Sequence, residues 1–179
     1  MRAYLLFVLL FSLARLQAQD PSSAAGQPSV SDDSHLGIGA GLDHGGIGLR
    51  VDVPVTRHVA LIAGVGYAIV GAGWNAGLQY RFLPDSKVGL YVQAIYGYNG
   101  VIKVEGAAQY DDIYYGPSVG AGLEFRRSKS SNYFHLALLV PFRSSEFWSD
   151  WESLEDNNAI EVKQGPLPIA FSIGYHFAL

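Results

Sequence analysis

The side chains able to do chemistry are few and widely spaced. Cysteine is absent and histidine occurs five times in 179 residues, which excludes disulfides, thiolate metal sites and a cysteine nucleophile. No His-Glu-x-x-His signature occurs, nor any carboxylate loop with metal-ligand spacing. Asp43-His44 and Ser144-Ser145 supply the residue types of a Ser/His/Asp hydrolytic site, but such a site needs both pairs at one place. An Asp-His-Gly-Gly turn accounts for the first pair without catalysis. His135 and His176 would make a metal pair if they met. With no further ligand at a useful spacing, hydrogen-bonded histidines are the simpler expectation. Gly37-x-Gly39-x-Gly41 is strand glycine, because no helix follows it to hold a phosphate. The expectation is therefore a chain with no enzyme activity, no catalytic residue, no metal and no cofactor.

The elements that must position these residues come from an unusual composition. Charged residues are 16% of the chain and hydrophobic residues 49%, whereas soluble domains are about 25% charged. Glycine reaches 21 residues and aromatics 13%. The chain is too apolar for disorder. Its net charge of −4 argues against a phosphate-binding surface, so no nucleic-acid partner is expected.

Arg2 precedes an apolar run from Ala3 to Ala14, broken only by Ser12, and Leu16-Gln17-Ala18 ends in a small residue. This predicts a cleaved signal peptide over residues 1–18. The run is shorter than the ~20 residues of a spanning helix. Residues 19–34, with Asp20, Pro21, Gly26, Pro28, Asp32 and Asp33, lack periodicity and read as a flexible leader. The folded domain is expected over residues 35–179.

From His35 onward apolar residues recur at every second position, the period of a strand with one apolar face. Eight such segments run from Leu36 to Leu42, Ile47 to Val55, Val59 to Tyr67, Trp74 to Phe82, Val88 to Tyr98, Tyr115 to Phe125, Phe134 to Phe142 and Ile169 to Leu179. Short connections (Thr56-Arg57-His58, Pro84 to Lys87, Arg127 to Asn132) alternate with others that lengthen along the chain, up to Asn99–Asp112 and Arg143–Gly165. Short turns at one rim and long loops at the other predict an all-β, eight-stranded antiparallel up-and-down barrel.

The residues between the apolar ones decide which face is outside. They are mostly glycine, including Gly37, Gly39, Gly48, Gly64, Gly66, Gly116, Gly120 and Gly174, with few charges. A water-facing strand surface normally carries lysine, glutamate and threonine, so this set reads as a narrow interior. The apolar set gathers aromatics near both strand ends: Tyr67, Trp74, Tyr96, Tyr98, Tyr115 and Phe142 at one, Tyr80, Phe82, Phe125, Phe134, Tyr175 and Phe177 at the other. Two aromatic girdles around an aliphatic band are the pattern of a transmembrane barrel. A soluble exported ligand-binding barrel is the competing arrangement, with its faces reversed.

The C-terminal segment, with Phe171, Ile173, Tyr175, Phe177 and Leu179 alternating to the last position, resembles the terminal signal of the small outer-membrane β-barrel family of Gram-negative bacteria. Those are eight-stranded, porin-like and outer-membrane-protein-A-like barrels. The resemblance covers roughly residues 35–179 and departs at Leu179, where that family often ends in phenylalanine. It implies a multi-pass protein of the outer membrane, with outer-membrane lipids and the barrel-insertion machinery as partners. It implies no single activity.

Alternate strands share a glycine–apolar–polar–apolar unit, as in Gly48-Leu49-Arg50-Val51, Gly77-Leu78-Gln79-Tyr80, Gly122-Leu123-Glu124-Phe125 and Gly174-Tyr175-His176-Phe177. Its polar members and their neighbours collect Arg50, Asp52, Gln79, Arg81, Glu124, Arg126, His135 and His176 in the half of the lumen nearer the short turns. Buried charges need partners, which predicts a polar plug there. Gly64, Gly66, Asn75, Gly97, Gly116, Ser118 and Ser172 would leave a small water-filled vestibule above it. In the acidic last loop, Phe147, Trp148 and Trp151 are candidate contacts for an extracellular ligand of unknown identity, or else rest at the lipid interface. The leading expectation is a structural or surface-interaction role. The alternative is a small porin or solute-binding barrel.

Overall fold

The computed structural model describes residues 33–103, 111–126, 130–155 and 165–179. The expected signal peptide and most of the leader lie outside the described residues.

Eight strands form: β1 (His35–Gly41), β2 (Gly46–Pro54), β3 (Val59–Tyr67), β4 (Ala72–Arg81), β5 (Val88–Ile102), β6 (Asp112–Arg126), β7 (Tyr133–Pro141) and β8 (Ala170–Ala178). Each pairs antiparallel with the next and β8 pairs with β1, closing the barrel. The period-two pattern governs burial along the strands, except where β5 bulges near Tyr98 and toward the end of β1. On β8 the side chains of Ser172 and His176 are buried, while Phe171 is 76% exposed and Tyr175 and Phe177 stand outside with it. The outer wall is a continuous apolar surface that includes Ile47, Leu61, Leu78, Val92, Leu138 and Ile173. Soluble monomers rarely expose an apolar patch beyond a few hundred Å². Among the described residues, no helix is long and apolar enough to cross a membrane.

Three connections depart from the expected outline. First, β5 and β6 continue past the predicted strand ends, to Ile102 and from Asp112, with a register shift between Tyr98 and Gly100. A bulge reverses which side chains face inward, so Tyr98 is buried rather than standing in the outer girdle. Second, the last loop contains a helix, α1 (Ser145–Glu155). Ser144 caps it, its Oγ accepting the Phe147 N–H at 3.2 Å, which satisfies one of the free amides of the first turn. Phe147, Trp151 and Leu154 follow helical spacing and pack with Ile102 and Tyr114. The rings of Phe147 and Tyr114 meet edge to face at 5.0 Å, and the Tyr114 hydroxyl donates to Asp150 Oδ2 at 2.7 Å. Phe147 is thus an anchor for the helix and not a free contact, Trp151 is partly buried beside it, and Trp148 is exposed.

The third departure shapes the lumen. Leu42–His44 forms a single 3-10 turn that folds into the barrel, with Asp43 and His44 buried. A row of paired glycines runs beneath it: Gly174 on β8 faces Gly39 on β1, Gly39 faces Gly48 on β2, Gly48 faces Gly66 on β3, and Gly66 faces Gly73 on β4. A Cβ on Gly39 or Gly174 would strike the His44 imidazole, and one on Gly48 or Gly66 its carbonyl. The glycine excess therefore makes a smooth floor on which the turn is seated. The expected water-filled vestibule is instead occupied: Asn75 donates to the Leu42 carbonyl, Ser172 donates to Asp43, and Gly64 abuts the Asp43 carbonyl.

Candidate functional site

The inward turn depends on glycine at both ends. Gly41 has φ +144° and Gly45 φ +68°, conformations that side-chain-bearing residues rarely adopt. The Gly45 N–H closes the turn on the Leu42 carbonyl at 2.9 Å. The chain reverses within these residues and delivers a carboxylate and an imidazole to the centre of the barrel.

Asp43 there accepts from Arg50 Nη1 at 2.5 Å, His44 Nδ1 at 3.0 Å, Gln93 Nε2 at 3.2 Å and the Ser172 hydroxyl. Arg50 uses all three of its nitrogens: Nη1 also reaches Gln93 Oε1, Nη2 donates to Gln79 Oε1, and Nε donates to Asp52 Oδ1 at 2.7 Å. Asp52 also accepts the Tyr133 hydroxyl. Below, Glu124 accepts from Gln79 Nε2 at 2.5 Å, Arg81 Nε at 3.0 Å and Arg126 Nη2. Three carboxylates and three guanidiniums thus share one network across the lumen. A buried charge left alone costs several kcal/mol, and this connectivity offsets that cost.

The strands place the expected lumen residues as follows. Arg50, Asp52, Gln79, Arg81 and Glu124 are buried in this network, and Arg126 joins it through Glu124 while partly exposed. His135 pairs across to Gly174, and Tyr133 to His176, in the β7–β8 register. Asp43 and His44, which the sequence reading left as a rim turn, belong to the site, and so do Gln93 and Tyr133, which it missed. A usable signal existed for the first two, since Gly39, Gly48 and Gly66 leave one lumen face without side chains beside the Asp43-His44 turn.

His44, His135 and His176 form a buried triad, with one ring nitrogen from each lying within 4.8 Å of the others. This corrects the expectation of a non-enzymatic chain without a metal site: the triad has metal-coordinating geometry and is a candidate metal-binding or catalytic centre. The error has a physical origin, because the third imidazole sits on a rim turn that folds inward. His135 Nδ1 lies 2.9 Å from His176 Nε2. His135 Nε2 faces Ser172 Oγ at 3.4 Å and Asp43 Oδ2 at 3.5 Å. His176 Nδ1 stands 3.3 Å from Asp52 Oδ2 without the alignment of a hydrogen bond. His44 Nε2 is buried and has no partner.

A Ser/His/Asp relay is not what this cluster builds. A relay divides the two imidazole nitrogens between serine and acid, whereas here a single nitrogen of His135 faces both Ser172 and Asp43. Ser144 is occupied as the cap of α1.

No protein-family model, no curated protein and no solved structure matches this chain. The eight-stranded closed antiparallel barrel is a shape shared by many families, outer-membrane barrels among them.

Proposed function

We propose that the chain is an outer-membrane β-barrel that holds a small polar solute within a closed lumen. The observation that carries this is the division of the wall. Its outer face is apolar from rim to rim, and its inner face is a buried polar network ending in three convergent imidazoles. Seven of the eight strands have at least nine residues, the length of a tilted strand crossing a bilayer. On this reading residues 1–18 direct export, 19–34 are a leader, 35–179 are the barrel, and lipid meets the outer apolar surface. The outward residues of β8, Phe171, Ile173, Tyr175 and Phe177, together with Leu179 just beyond it, serve insertion by the assembly machinery. A soluble ligand-binding barrel would have to show its apolar face to water, which the hydrophobic effect opposes.

The solute-holding role is favoured over a purely structural or surface-interaction role because histidine nitrogens without full partners are costly to bury and gain from an occupant. It is favoured over conduction because the inward turn and the Arg50 network fill the lumen. The test has two arms. The protein should stay with outer membranes after carbonate washing, migrate heat-modifiably, and show no large stable conductance in planar bilayers. Release by carbonate would sink the membrane part. Native mass spectrometry from mild detergent should give a folded mass above that of the unfolded chain, and equal masses would sink the solute-holding part.

A further inference from the structure

The three histidines of the triad differ in what holds each ring nitrogen, and the difference is systematic. In each ring one nitrogen lies beside a carboxylate: His44 Nδ1 is hydrogen-bonded to Asp43 at 3.0 Å, while His135 Nε2 lies 3.5 Å from Asp43 and His176 Nδ1 3.3 Å from Asp52 as charge contacts without hydrogen-bond alignment. A carboxylate accepts but does not donate, so the carboxylates favour the tautomers that carry the proton on these three nitrogens. The lone pairs are left on His44 Nε2, His135 Nδ1 and His176 Nε2. Of these, His44 Nε2 is buried without a partner, and the other two face each other at 2.9 Å. Two facing lone pairs repel unless a cation, either a proton or a metal ion, lies between them.

From this we infer that the lumen is a binding site for a divalent transition-metal ion of the zinc class, ligated by His44 Nε2, His135 Nδ1 and His176 Nε2. The inference rests on the solute-holding reading and names the solute. Ring spacing fits. With metal–nitrogen bonds of about 2.0–2.1 Å at tetrahedral angles, imidazole centroids stand about 5 Å apart and ligand nitrogens about 3.3 Å apart. The observed centroid separations are 5.3 Å for His44–His135, 5.9 Å for His44–His176 and 4.9 Å for His135–His176. The supporting groups fit as well. Metal-bound histidines usually donate their other N–H to a carboxylate or carbonyl, which fixes tautomer and ring orientation.

Charge selects a cation, since Asp43 and Asp52 face the triad with only Arg50 between them. Donor type selects the metal, because imidazoles suit zinc, copper, nickel and iron, while calcium and magnesium require oxygen ligands. Gly37, Gly39 and Gly174 provide the room, as a Cβ on any of them would enter a histidine ring of the triad. Three protein nitrogens leave the fourth position of a tetrahedral ion to water or another small ligand, the arrangement in which zinc activates bound water.

The full chain, folded in detergent and treated with chelator, is titrated with Zn²⁺ alone and, separately, with Co²⁺. One Zn²⁺ should bind per chain, and Co²⁺ should give the intense visible bands of a four-coordinate nitrogen site. His44→Ala, His135→Ala and His176→Ala, each checked for heat-modifiable mobility, should each weaken Zn²⁺ by more than the about 10–100-fold that loss of a supporting carboxylate costs. If an alanine variant does not fold, the Co²⁺ spectrum of the native protein decides. Absence of stoichiometric Zn²⁺ uptake, a six-coordinate Co²⁺ spectrum, or unchanged Zn²⁺ uptake in all three variants would overturn the site. A membrane-embedded barrel that carries an organic solute and takes no Zn²⁺ would overturn this inference and leave the solute-holding reading standing.

Discussion

The lumen has two neighbouring polar layers made at comparable burial, and they differ in how far their hydrogen bonding is complete. Around Arg50 every guanidinium nitrogen donates, and Asp52 and Glu124 each accept on both oxygens. Among the described residues of that layer, Arg81 Nη2 and the neighbouring Tyr91 hydroxyl lack a partner. In the histidine layer only His44 Nδ1 makes an aligned hydrogen bond to a carboxylate, His176 Nδ1 and His44 Nε2 are buried without a hydrogen-bond partner, and two lone pairs converge. A network that satisfies its own charges resists unfolding. A cluster that satisfies only part of itself is set up for something to enter it. The two layers meet at Asp43, which accepts from Arg50 on one side and His44 on the other, so they can be perturbed separately and compared.

The largest effect should come from the finished layer. Arg50→Met keeps the length of the side chain and removes the charge, leaving Asp43 and Asp52 buried without their common cation. Breaking a buried pair in this way costs about 3–5 kcal/mol. Denaturant unfolding of the barrel in detergent should show a loss of that size. A loss below about 1 kcal/mol would mean that water already reaches this layer, and the contrast with the histidines would dissolve.

An intermediate effect is expected at the seat of the inward turn. In Gly39→Ala the added methyl meets the His44 imidazole and the Ile173 carbonyl. Overpacking of this kind costs about 1–3 kcal/mol, and the turn should lift away from the β1–β8 wall. The substitution leaves the Arg50 network with its other partners, so Zn²⁺ uptake should fall far more than stability. Equal losses in both would indicate that the turn is a structural plug alone.

The sheet was legible in the sequence and the site only partly so, for a physical reason. Alternation is a local property, written in neighbours such as Leu36, Ile38 and Ala40, and a closed barrel follows from enough repeats of it. The pairing of Arg50 with Asp52 is also local, since two residues on one strand share a face. His44 is different. Gly39 and Gly48 beside it mark room in the wall, but whether a rim turn leans out or in is decided together with glycines on β3, β4 and β8, whose registers become known only when the barrel closes. Similarly, the charges of the last loop conceal α1, although Phe147, Trp151 and Leu154 carry its buried stripe at i, i+4 and i+7.

The smallest effect on intrinsic stability is expected at His44, and it gives the sharpest comparison. His44→Leu removes one donor to Asp43, whose carboxylate keeps Arg50, Gln93 and Ser172. It also removes Nε2, a buried acceptor whose unsatisfied state itself costs about 1–3 kcal/mol. The two changes oppose each other, so chelator-treated H44L should unfold within about 1 kcal/mol of the native protein, where R50M falls well short of it. Zinc then separates the layers. At a free concentration 100 times its dissociation constant, a ligand that binds only the folded state adds about 2.7 kcal/mol. The native barrel and R50M, if the latter stays folded, should both gain from Zn²⁺ in a thermal or urea melt. H44L should gain nothing, because two nitrogens at 2.9 Å do not hold the ion without the third. A gain by H44L equal to the native gain would locate the stabilising ion elsewhere on the barrel. A native gain that vanishes only in H44L would make the inward turn the element on which the lumen's binding chemistry depends.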